Sequence, residues 1–279
     1  MKVTPPRAEK HMSPDIPRIE DKAIGRFSRA VRELRQIGLS GLVRAIREKG
    51  VGGTVGFMTR NIRYLVADRL ARRWDLRHCV DTAGSVQLDG LSVAGPNRAQ
   101  GNECICTSPK TFDFMMRHLP ENMDTYAFID IGSGKSRTLL LASRHGFSRI
   151  VGVEFAKELV DISQRNIAAF RAEWQRCRNL QVIHADAAEY PFPDAPLVVF
   201  FYNPFAADVF RRVLRNLEES LKAHPRPCFV LYSSSNSDSI DWARPILKAS
   251  PLFEELPTGQ MPRFLDAIRV VRYAIFKAL

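Results

Sequence analysis

The sequence predicts an α/β protein in which an α-helical N-terminal extension precedes a doubly wound, mostly parallel sheet of seven strands. From Tyr126 onward, short apolar runs alternate with helical patterns, which is typical of a parallel sheet with helices on both faces. The first 78 residues hold 18 Lys and Arg against 8 Asp and Glu, so the basic charge is concentrated before the sheet. A content of 45% hydrophobic and 25% charged residues excludes disordered, collagenous and membrane chains.

The N-terminal third is predicted to contain a tail and a basic helical region. Residues 1–22 carry four prolines among charges and few large apolar groups, which predicts a disordered tail. Residues 23–98 are expected to form basic helices and a linker, with a break in the Gly-rich stretch 50–56, and residues 99–279 a single domain. The apolar stripes of the two helices are Ile24, Phe27, Val31 and Leu34, then Met58, Ile62, Leu65 and Trp74.

The charge of this region leaves two interpretations open. Its arginines can be the solvated face of a helical cap on the sheet domain. They can equally form a surface for nucleic acid, anionic lipid or an acidic protein.

The five cysteines are scattered and predict reduced thiols in a cytoplasmic protein. Only Cys104 and Cys106 are close, and without a second Cys/His pair at ligand spacing we expect no metal site. No apolar run approaches the roughly 18 to 20 residues of a spanning helix, so no transmembrane segment is expected.

The sheet domain is predicted element by element from its apolar runs. The expected strands are 127–131, 149–153, 180–184, 197–202 and 228–233, and the expected helices are 137–144, 159–174 and 206–223. Segments 253–256 and 269–276 are expected to pair as a closing hairpin.

The loop after the first strand, Asp130 to Arg137, should carry the ligand site, because ligands bind at the carboxyl ends of such strands. A triphosphate loop ending in Gly134-Lys135-Ser136 would need a glycine at Ile129, and the dinucleotide fingerprint would need one at Arg137. Neither motif is complete, although the Lys and Ser resemble the first.

An acid that ends a strand before G-x-G suits a ligand with a cationic amino-acid end and a nucleoside. Gly132 and Gly134 let the backbone approach the ligand, while Asp130 offers a carboxylate for an ammonium group. Glu154, which ends the next strand, can accept hydrogen bonds from both hydroxyls of a ribose. Such acids can also simply cap the helix that follows.

Four segments in order, FIDIGSGKS, VGVEF, HADAAEY and VVFFYNPF, resemble the motifs of class I methyltransferases that use S-adenosylmethionine. The resemblance implies a Rossmann-like fold and this cofactor. It assigns the methionine part to Asp130 and the loop, the ribose to Glu154, and the adenine to Asp186 with the backbone N–H of Ala187. The loop residues are Gly132, Ser133 and Gly134.

The segment Tyr202-Asn203-Pro204-Phe205 can be an ordinary turn, but it also resembles the N-P-P-aromatic motif of methyltransferases that act on nitrogen. The resemblance implies that the Asn203 oxygen accepts hydrogen bonds from the target amino group and that Pro204 fixes the turn. The ring of Tyr202 or Phe205 would face the target. Methyl transfer needs alignment and exclusion of water, so no strong general base is expected.

The segment from Thr107 to Phe112 resembles the T-P-x-x-x-F lead-in of a bacterial group similar to the telomeric-silencing-type histone-lysine methyltransferases. That stretch closes over the cofactor in the group, which implies this role for Thr107. Ser108 and Pro109 also predict a helix start, with the serine as cap.

These observations imply methyl transfer to a nitrogen nucleophile, with protein lysine as the first expected acceptor. RNA or DNA is the alternative acceptor, with the basic helices following the phosphates. A third hypothesis is a partner subunit that binds the cofactor without catalysis.

Overall fold

The structure is a computed structural model, and it describes residues 39–234, 237–258, 261 and 271–279. The predicted tail 1–22 and the apolar stripe that begins at Ile24 lie outside the described residues. In the part of the chain that is described, we find no helix with the length and apolar character needed to span a bilayer.

Two sheets are present in the described ranges. Strands β1 and β2 form a small antiparallel pair, whereas β3 to β9 form one sheet of seven strands in the order β5-β4-β3-β6-β7-β9-β8. Its first five strands are parallel, and β9 is antiparallel to both β7 and β8. The fold class and the closing hairpin are thereby confirmed. The strands are β1 Ser85–Val86, β2 Cys104–Ile105, β3 Ala127–Ile131, β4 Arg149–Glu154, β5 Leu180–His184, β6 Leu197–Tyr202, β7 Cys228–Ser234, β8 Phe253–Glu255 and β9 Arg272–Ala278.

Helices cover both faces of the large sheet. They are α1 Leu39–His78, α2 Pro109–Met116, α3 Arg137–Ala142, α4 Lys157–Ala169, α5 Ala207–Ala223 and α6 Ser237–Lys248, with 3₁₀ turns at Asn97–Gln100 and Ala187–Glu189.

The core follows the alternation of side chains along the strands. In β3, Ile129 and Ile131 pack on one face with Phe210 of α5. Phe128 points to the other face, where its ring meets Phe112 of α2 edge to face with centroids 5.9 Å apart. All five side chains are fully buried, and each such burial contributes about 1.5–3 kcal/mol.

The strand order reverses at β3. The chain moves from β3 to β4 and β5 on one side, and then crosses back to β6 and β7 on the other. In open α/β sheets the crevice at such a reversal is the usual ligand site, so the carboxyl ends of β3, β4 and β6 define where chemistry is expected.

Helix α1 contacts the sheet domain only through its C-terminal turns, as far as the described side chains show. Ala67 is buried, and the Trp74 ring stacks on Phe170 with centroids 6.1 Å apart. The outward side is exposed and carries both arginines and large apolar residues. The exposed apolar residues are Val51, Val55, Ile62, Val66, Leu70 and Leu76. Ile62, placed by its spacing in one stripe with Trp74, therefore does not dock with it.

Three local predictions need correction. The helix break lies at Gly50 alone, which has φ 68° and ψ 171°, and the chain is helical again from Val51 through the other glycines. Helix α4 ends at Ala169 rather than at residue 174, because Phe170 turns to extended backbone and buries its ring under Trp74.

The third correction concerns helix starts. Ser108 precedes α2 as predicted, but its side chain makes no capping hydrogen bond, and only its backbone carbonyl accepts from Phe112. Ser136, before α3, is left-handed with φ 67°; its hydroxyl donates to the Ser163 hydroxyl and accepts no capping hydrogen bond from the helix.

Candidate active site

A cleft opens at the carboxyl ends of β3, β4 and β6, with about 890 Å³ of empty space when open solvent at its mouth is included. Every residue that the sequence assigned to the cofactor or to catalysis lines this one cleft. These residues are Thr107, Asp130, Gly132, Ser133, Gly134, Glu154, Asp186, Ala187, Tyr202, Asn203, Pro204 and Phe205.

The glycine loop after β3 bends directly over the end of β4. The N–H groups of Gly132 and Ser133 both donate to the carbonyl of Val153, at 2.9 and 3.1 Å. Gly132 has φ 78°, and a Cβ at this position would overlap the Cβ of Pro204. Glycine is therefore required where the loop passes beside the Asn-Pro edge.

Two buried carboxylates end β3 and β4. Asp130 is 2% exposed, and burial raises its pKa well above the ordinary value; the charge of Glu154 adds to this, and a hydrogen bond with Thr138 opposes it. Burial also raises the pKa of Glu154, opposed by hydrogen bonds from the N–H groups of Ala156 and Gly134 at 2.9 and 2.8 Å. Two buried acids at one cleft favour a cationic ligand, which would offset their cost of ionisation.

A third acid, Asp186, follows β5 and has both oxygens engaged. One accepts from the N–H of Ala188 at 3.0 Å, which caps the 3₁₀ turn that begins at Ala187. The other accepts from the side-chain amide of Asn97 at 2.6 Å, and Arg212 in turn donates to the Asn97 oxygen at 3.3 Å. Asp186 therefore does cap the turn that follows it, as strand-ending acids often do. Asn97 holds the second oxygen of Asp186 at the cleft.

The Asn-Pro edge after β6 is held by side chains from two distant segments. Asn203 has φ 43°, and its Oδ1 accepts from the Tyr232 hydroxyl at 3.2 Å and from Nδ2 of Asn102 at 3.3 Å. The same Nδ2 donates to the Asn203 carbonyl at 3.0 Å. Burial raises the pKa of Tyr232, so its hydroxyl remains a neutral donor. Tyr202 is half-buried, whereas Phe205 is 8% exposed and packs mostly into the core against Phe201.

The segment before α2 crosses the front of the cleft. The N–H of Asn102 donates to the carbonyl of Pro204 at 2.9 Å, which ties this segment to the Asn-Pro edge. Cys104 lies so close to Gly134 that a Cβ there would overlap its Sγ, and burial raises the pKa of Cys104 to about 12. Thr107 is 2% exposed and accepts from the Thr138 hydroxyl at 3.2 Å.

The basic residues of the loop are engaged by other groups of the protein. Lys135 donates to Asp81 at 2.9 Å and to the carbonyl of Ala83 at 2.8 Å. Arg137 is 3% exposed and pairs with Asp75 of α1 at 2.8 Å. The Lys that invited comparison with a triphosphate loop is therefore engaged with the protein itself.

Sequence reasoning missed five residues that shape the cleft. Lys135 and Arg137 were tested only against phosphate-binding motifs. The other three lie in segments whose residue pattern indicated a loop or a strand and nothing more. The five residues are Asn97, Asn102, Lys135, Arg137 and Tyr232.

Comparison with known proteins gives one family match. A sequence model described as a methyltransferase domain matches residues 128–224, which run from β3 through α5 and contain the glycine loop, the three acids and the Asn-Pro edge. Over these residues the chain matches a methyltransferase domain. No curated protein sequence matches the chain.

Solved structures resemble the methyltransferase domain distantly. The 23S rRNA methyltransferase ErmE is 12% identical, with 62% of this chain and 69% of that chain covered and a TM-score of 0.45. The precorrin-6y C5,15-methyltransferase of Geobacter metallireducens is 16% identical, with 69% of this chain and 94% of that chain covered and a TM-score of 0.43. An RNA methyltransferase of Salinibacter ruber in complex with S-adenosyl-L-homocysteine is 18% identical, with 62% of this chain and 92% of that chain covered and a TM-score of 0.40.

The cleft of the methyltransferase domain has the donor set that S-adenosylmethionine requires. The cofactor carries an ammonium group and a ribose with two hydroxyls, and these are hydrogen-bond donors that the buried carboxylates Asp130 and Glu154 can accept from. The hydroxyl of Ser133, a residue of the cleft lining, is buried and has no hydrogen-bond partner within the described ranges. Those ranges contain no cluster of three or more His, Cys, Asp or Glu side chains that could hold a metal ion.

Proposed function

We propose that the protein transfers the methyl group of S-adenosylmethionine to a nitrogen atom of a nucleic acid. The cofactor supplies an electrophilic methyl group on a positively charged sulfur. The chain has to bind the cofactor, place the nitrogen in line with that methyl group and exclude water.

The cofactor roles proposed for the carboxylates follow from their remaining acceptor capacity. Glu154 accepts backbone hydrogen bonds from Gly134, Ala156 and Phe155, and a carboxylate has about four lone-pair sites, so Glu154 keeps acceptor capacity for a ribose hydroxyl. Asp130 is proposed to face the ammonium group, and the cation would lower the raised pKa of this carboxyl. Asp186 and the N–H of Ala187 are proposed to meet the adenine, with Thr107 closing the cleft over the cofactor.

The proposed acceptor position lies beside Asn203. The amide nitrogen of Asn102 donates to both oxygens of Asn203, at 3.0 and 3.3 Å. A planar amino group therefore fits between these oxygens, and the exocyclic amino group of a base has the same geometry. An acceptor that replaces Asn102 there would be oriented by Asn203, while Pro204 holds the turn against Gly132.

The charge of α1 is the observation that favours a nucleic acid over a protein lysine as the methyl acceptor. Six of the described arginines on this helix are exposed, and Arg63, Arg69, Arg73 and Arg77 are among them. The nearby acids are buried and occupied, because Asp68 pairs with Arg72 and Asp75 with Arg137. This surface attracts phosphates, and it would repel a basic peptide around a target lysine.

The first experiment identifies the acceptor. Purified protein is incubated with methyl-labelled S-adenosylmethionine and a lysate from cells that lack it, and the products are digested separately with protease, RNase and DNase. Label released by either nuclease supports the proposal and separates RNA from DNA. Label released by protease would replace it with the protein-lysine function. No label, despite measured cofactor binding, would favour the partner-subunit hypothesis.

A second measurement tests the arginines directly. We expect the variant Arg69→Gln/Arg73→Gln/Arg77→Gln to lower the slope of log affinity for the labelled nucleic acid against log salt by about 2 to 3, at roughly 0.7–0.9 per lost phosphate contact. The matched control removes three exposed charges from α5, as Arg211→Gln/Arg215→Gln/Lys222→Gln, and should leave the slope unchanged. If the two variants gave equal slopes, α1 would not contribute phosphate contacts to acceptor binding.

A further inference from the structure

The cofactor loop is attached to helix α1 by a buried polar network that the methyl-transfer roles above do not use. Arg137, at the start of α3, lies at the cleft lining and extends its side chain to α1. Its guanidinium pairs with Asp75 at 2.8 Å, donates to the carbonyl of Ala71 at 3.2 Å and lies 4.3 Å from the centroid of the Trp74 ring. Nε also donates to the hydroxyl of Thr82.

Asp75 is the centre of this network. Its Oδ2 accepts from the N–H groups of Thr82 and Ala83, at 2.8 and 2.6 Å, and its Oδ1 accepts from the Thr82 hydroxyl at 2.6 Å as well as from Arg137. The buried carboxylate is thus fully hydrogen-bonded, and it joins the end of α1 to the strand-like segment that follows it.

A second branch holds the loop from the other side. Lys135 reaches Asp81 and the carbonyl of Ala83, while the amide of Asn166 in α4 donates to the carbonyls of Asp81 and Lys135, at 2.8 and 2.9 Å. The oxygen of Asn166 accepts from the N–H of Asp81 at 2.8 Å. The two loop positions on either side of Ser136 are therefore tied to residues 71–83.

The backbone between these ties is in an unfavourable conformation. Ser136 is left-handed with φ 67°, next to Gly134 with φ 55°. A non-glycine residue keeps this conformation only where surrounding contacts impose it. Burying several charged groups is an inefficient way to stabilise a fold, whereas it is an effective way to fix the geometry of a site.

We propose that Arg137 and Asp75 are positioning residues that hold the cofactor loop, so that cofactor binding and the docking of the C-terminal turns of α1 are thermodynamically linked. Linkage is reciprocal: a docked helix raises cofactor affinity, and bound cofactor holds the helix in place. This inference depends on cofactor binding alone and holds whether the acceptor is a nucleic acid or a protein.

The test uses S-adenosyl-L-homocysteine as the ligand and hydrogen exchange as the readout. In the full chain, saturating ligand should slow amide exchange in residues 67–78 at least several-fold, although none of them lines the cleft. We expect Arg137→Gln to weaken ligand binding roughly tenfold or more and to abolish this protection, and Arg137→Lys to recover part of both. The control Leu76→Gln changes an 81% exposed side chain in the same turns of α1 and should change neither.

A purely structural role predicts a different result. Arg137→Gln would then lower the melting temperature but leave both the ligand affinity of the folded protein and the protection of α1 as in the wild type, which would overturn the proposal. If Arg137→Gln does not fold, Asp81→Asn provides the test, because Asp81 is 53% exposed and should tolerate the change. It should weaken ligand binding a few-fold and reduce the protection of α1; unchanged values in that variant would equally reject the linkage.

Discussion

The cofactor half and the acceptor half of the cleft are held together in different ways. In the cofactor half, backbone groups fix the first part of the loop: Gly132 and Ser133 donate to Val153, and Glu154 accepts from Gly134. In the acceptor half, Asn203 is held by the side chains of Asn102 and Tyr232 at 3.2 to 3.3 Å. The first half is fixed by the fold, whereas an acceptor can replace contacts in the second.

The two halves also differ in charge. Asp130 and Glu154 are buried acids with raised pKa values, so the empty cofactor half is destabilised until a cation enters. The acceptor half contains a neutral amide and a neutral phenol, which can orient a nitrogen nucleophile but do not need one. Substitutions in the two halves should therefore separate binding from turnover.

The largest effect is expected at the acceptor half. Asn203→Ala should lower turnover by roughly 100- to 1,000-fold, the range seen when one preorganised polar group is removed from an active site, and should leave cofactor affinity unchanged. Activity on the labelled acceptor and S-adenosyl-L-homocysteine affinity are measured on the same preparation.

The left-handed backbone at Asn203 calls for a control. Asn203→Gly accepts φ 43° without strain but lacks the oxygen, so it should lose turnover to the same extent. A Gly variant with near-normal turnover would assign the loss in Asn203→Ala to the backbone and end the proposed role of Oδ1.

Asp130 should give the next largest effect. Asp130→Asn should weaken cofactor binding by roughly 100-fold, or about 2.7 kcal/mol, because a charge-assisted contact is lost. The free variant should be more stable than the wild type at neutral pH. A carboxyl whose folded pKa is raised loses stability as the pH rises from its ordinary pKa through the raised one, and Asn does not titrate.

Titration calorimetry and thermal unfolding measure the two quantities. Glu158→Gln, which changes a half-buried acid in the first turn of α4 that accepts from the N–H of Ser92, is the matched control and should keep wild-type cofactor affinity. An Asp130→Asn protein that binds the cofactor normally would place the ammonium group elsewhere.

Much of the cofactor half could be predicted from the sequence, because its geometry is local. Asp130 and Gly132 are two residues apart, and Glu154 ends the neighbouring strand, so a parallel sheet brings them together whatever the surroundings. The same reasoning predicted β3, β5 and β6 to the residue. Apolar runs of five or six residues between helices leave little freedom in where a buried strand begins and ends.

The rest depends on contacts between residues that are distant in the chain, and no pattern in one sequence encodes them. Asn102 meets Asn203 across 101 positions, and Arg137 meets Asp75 across 62. The helix expected to reach residue 174 ends at Ala169 for the same reason, since Phe170 turns to pack on Trp74. Tertiary packing overrides local helix propensity there.

The pH dependence of cofactor affinity should also differ between variants of the two halves, with a smaller change than the effects above. Below the raised pKa of Asp130, cofactor binding must displace a proton, so affinity should increase with pH by up to about tenfold per unit and level off above that pKa. Burial raises the pKa of Glu154 as well, which adds to the dependence in the same direction. In Asp130→Asn the dependence should shrink, whereas in Asn203→Ala it should match the wild type. A profile that is flat in the wild-type protein would mean that neither acid is protonated in the free cleft.

The smallest expected effect is at Ser133. Its hydroxyl is buried beside the cleft without a partner in the described part of the chain, and a buried hydroxyl that makes no hydrogen bond lowers stability. Ser133→Ala should therefore stabilise the free protein by about 1 kcal/mol and weaken S-adenosyl-L-homocysteine binding by roughly 2- to 10-fold, because the ligand then loses one neutral hydrogen bond. Opposite signs for the two changes would confirm that the cofactor half sacrifices stability of the free protein for affinity. Equal or tighter ligand binding in Ser133→Ala would show that the hydroxyl does not contact the cofactor, and the contrast between the halves would then depend on the carboxylates alone.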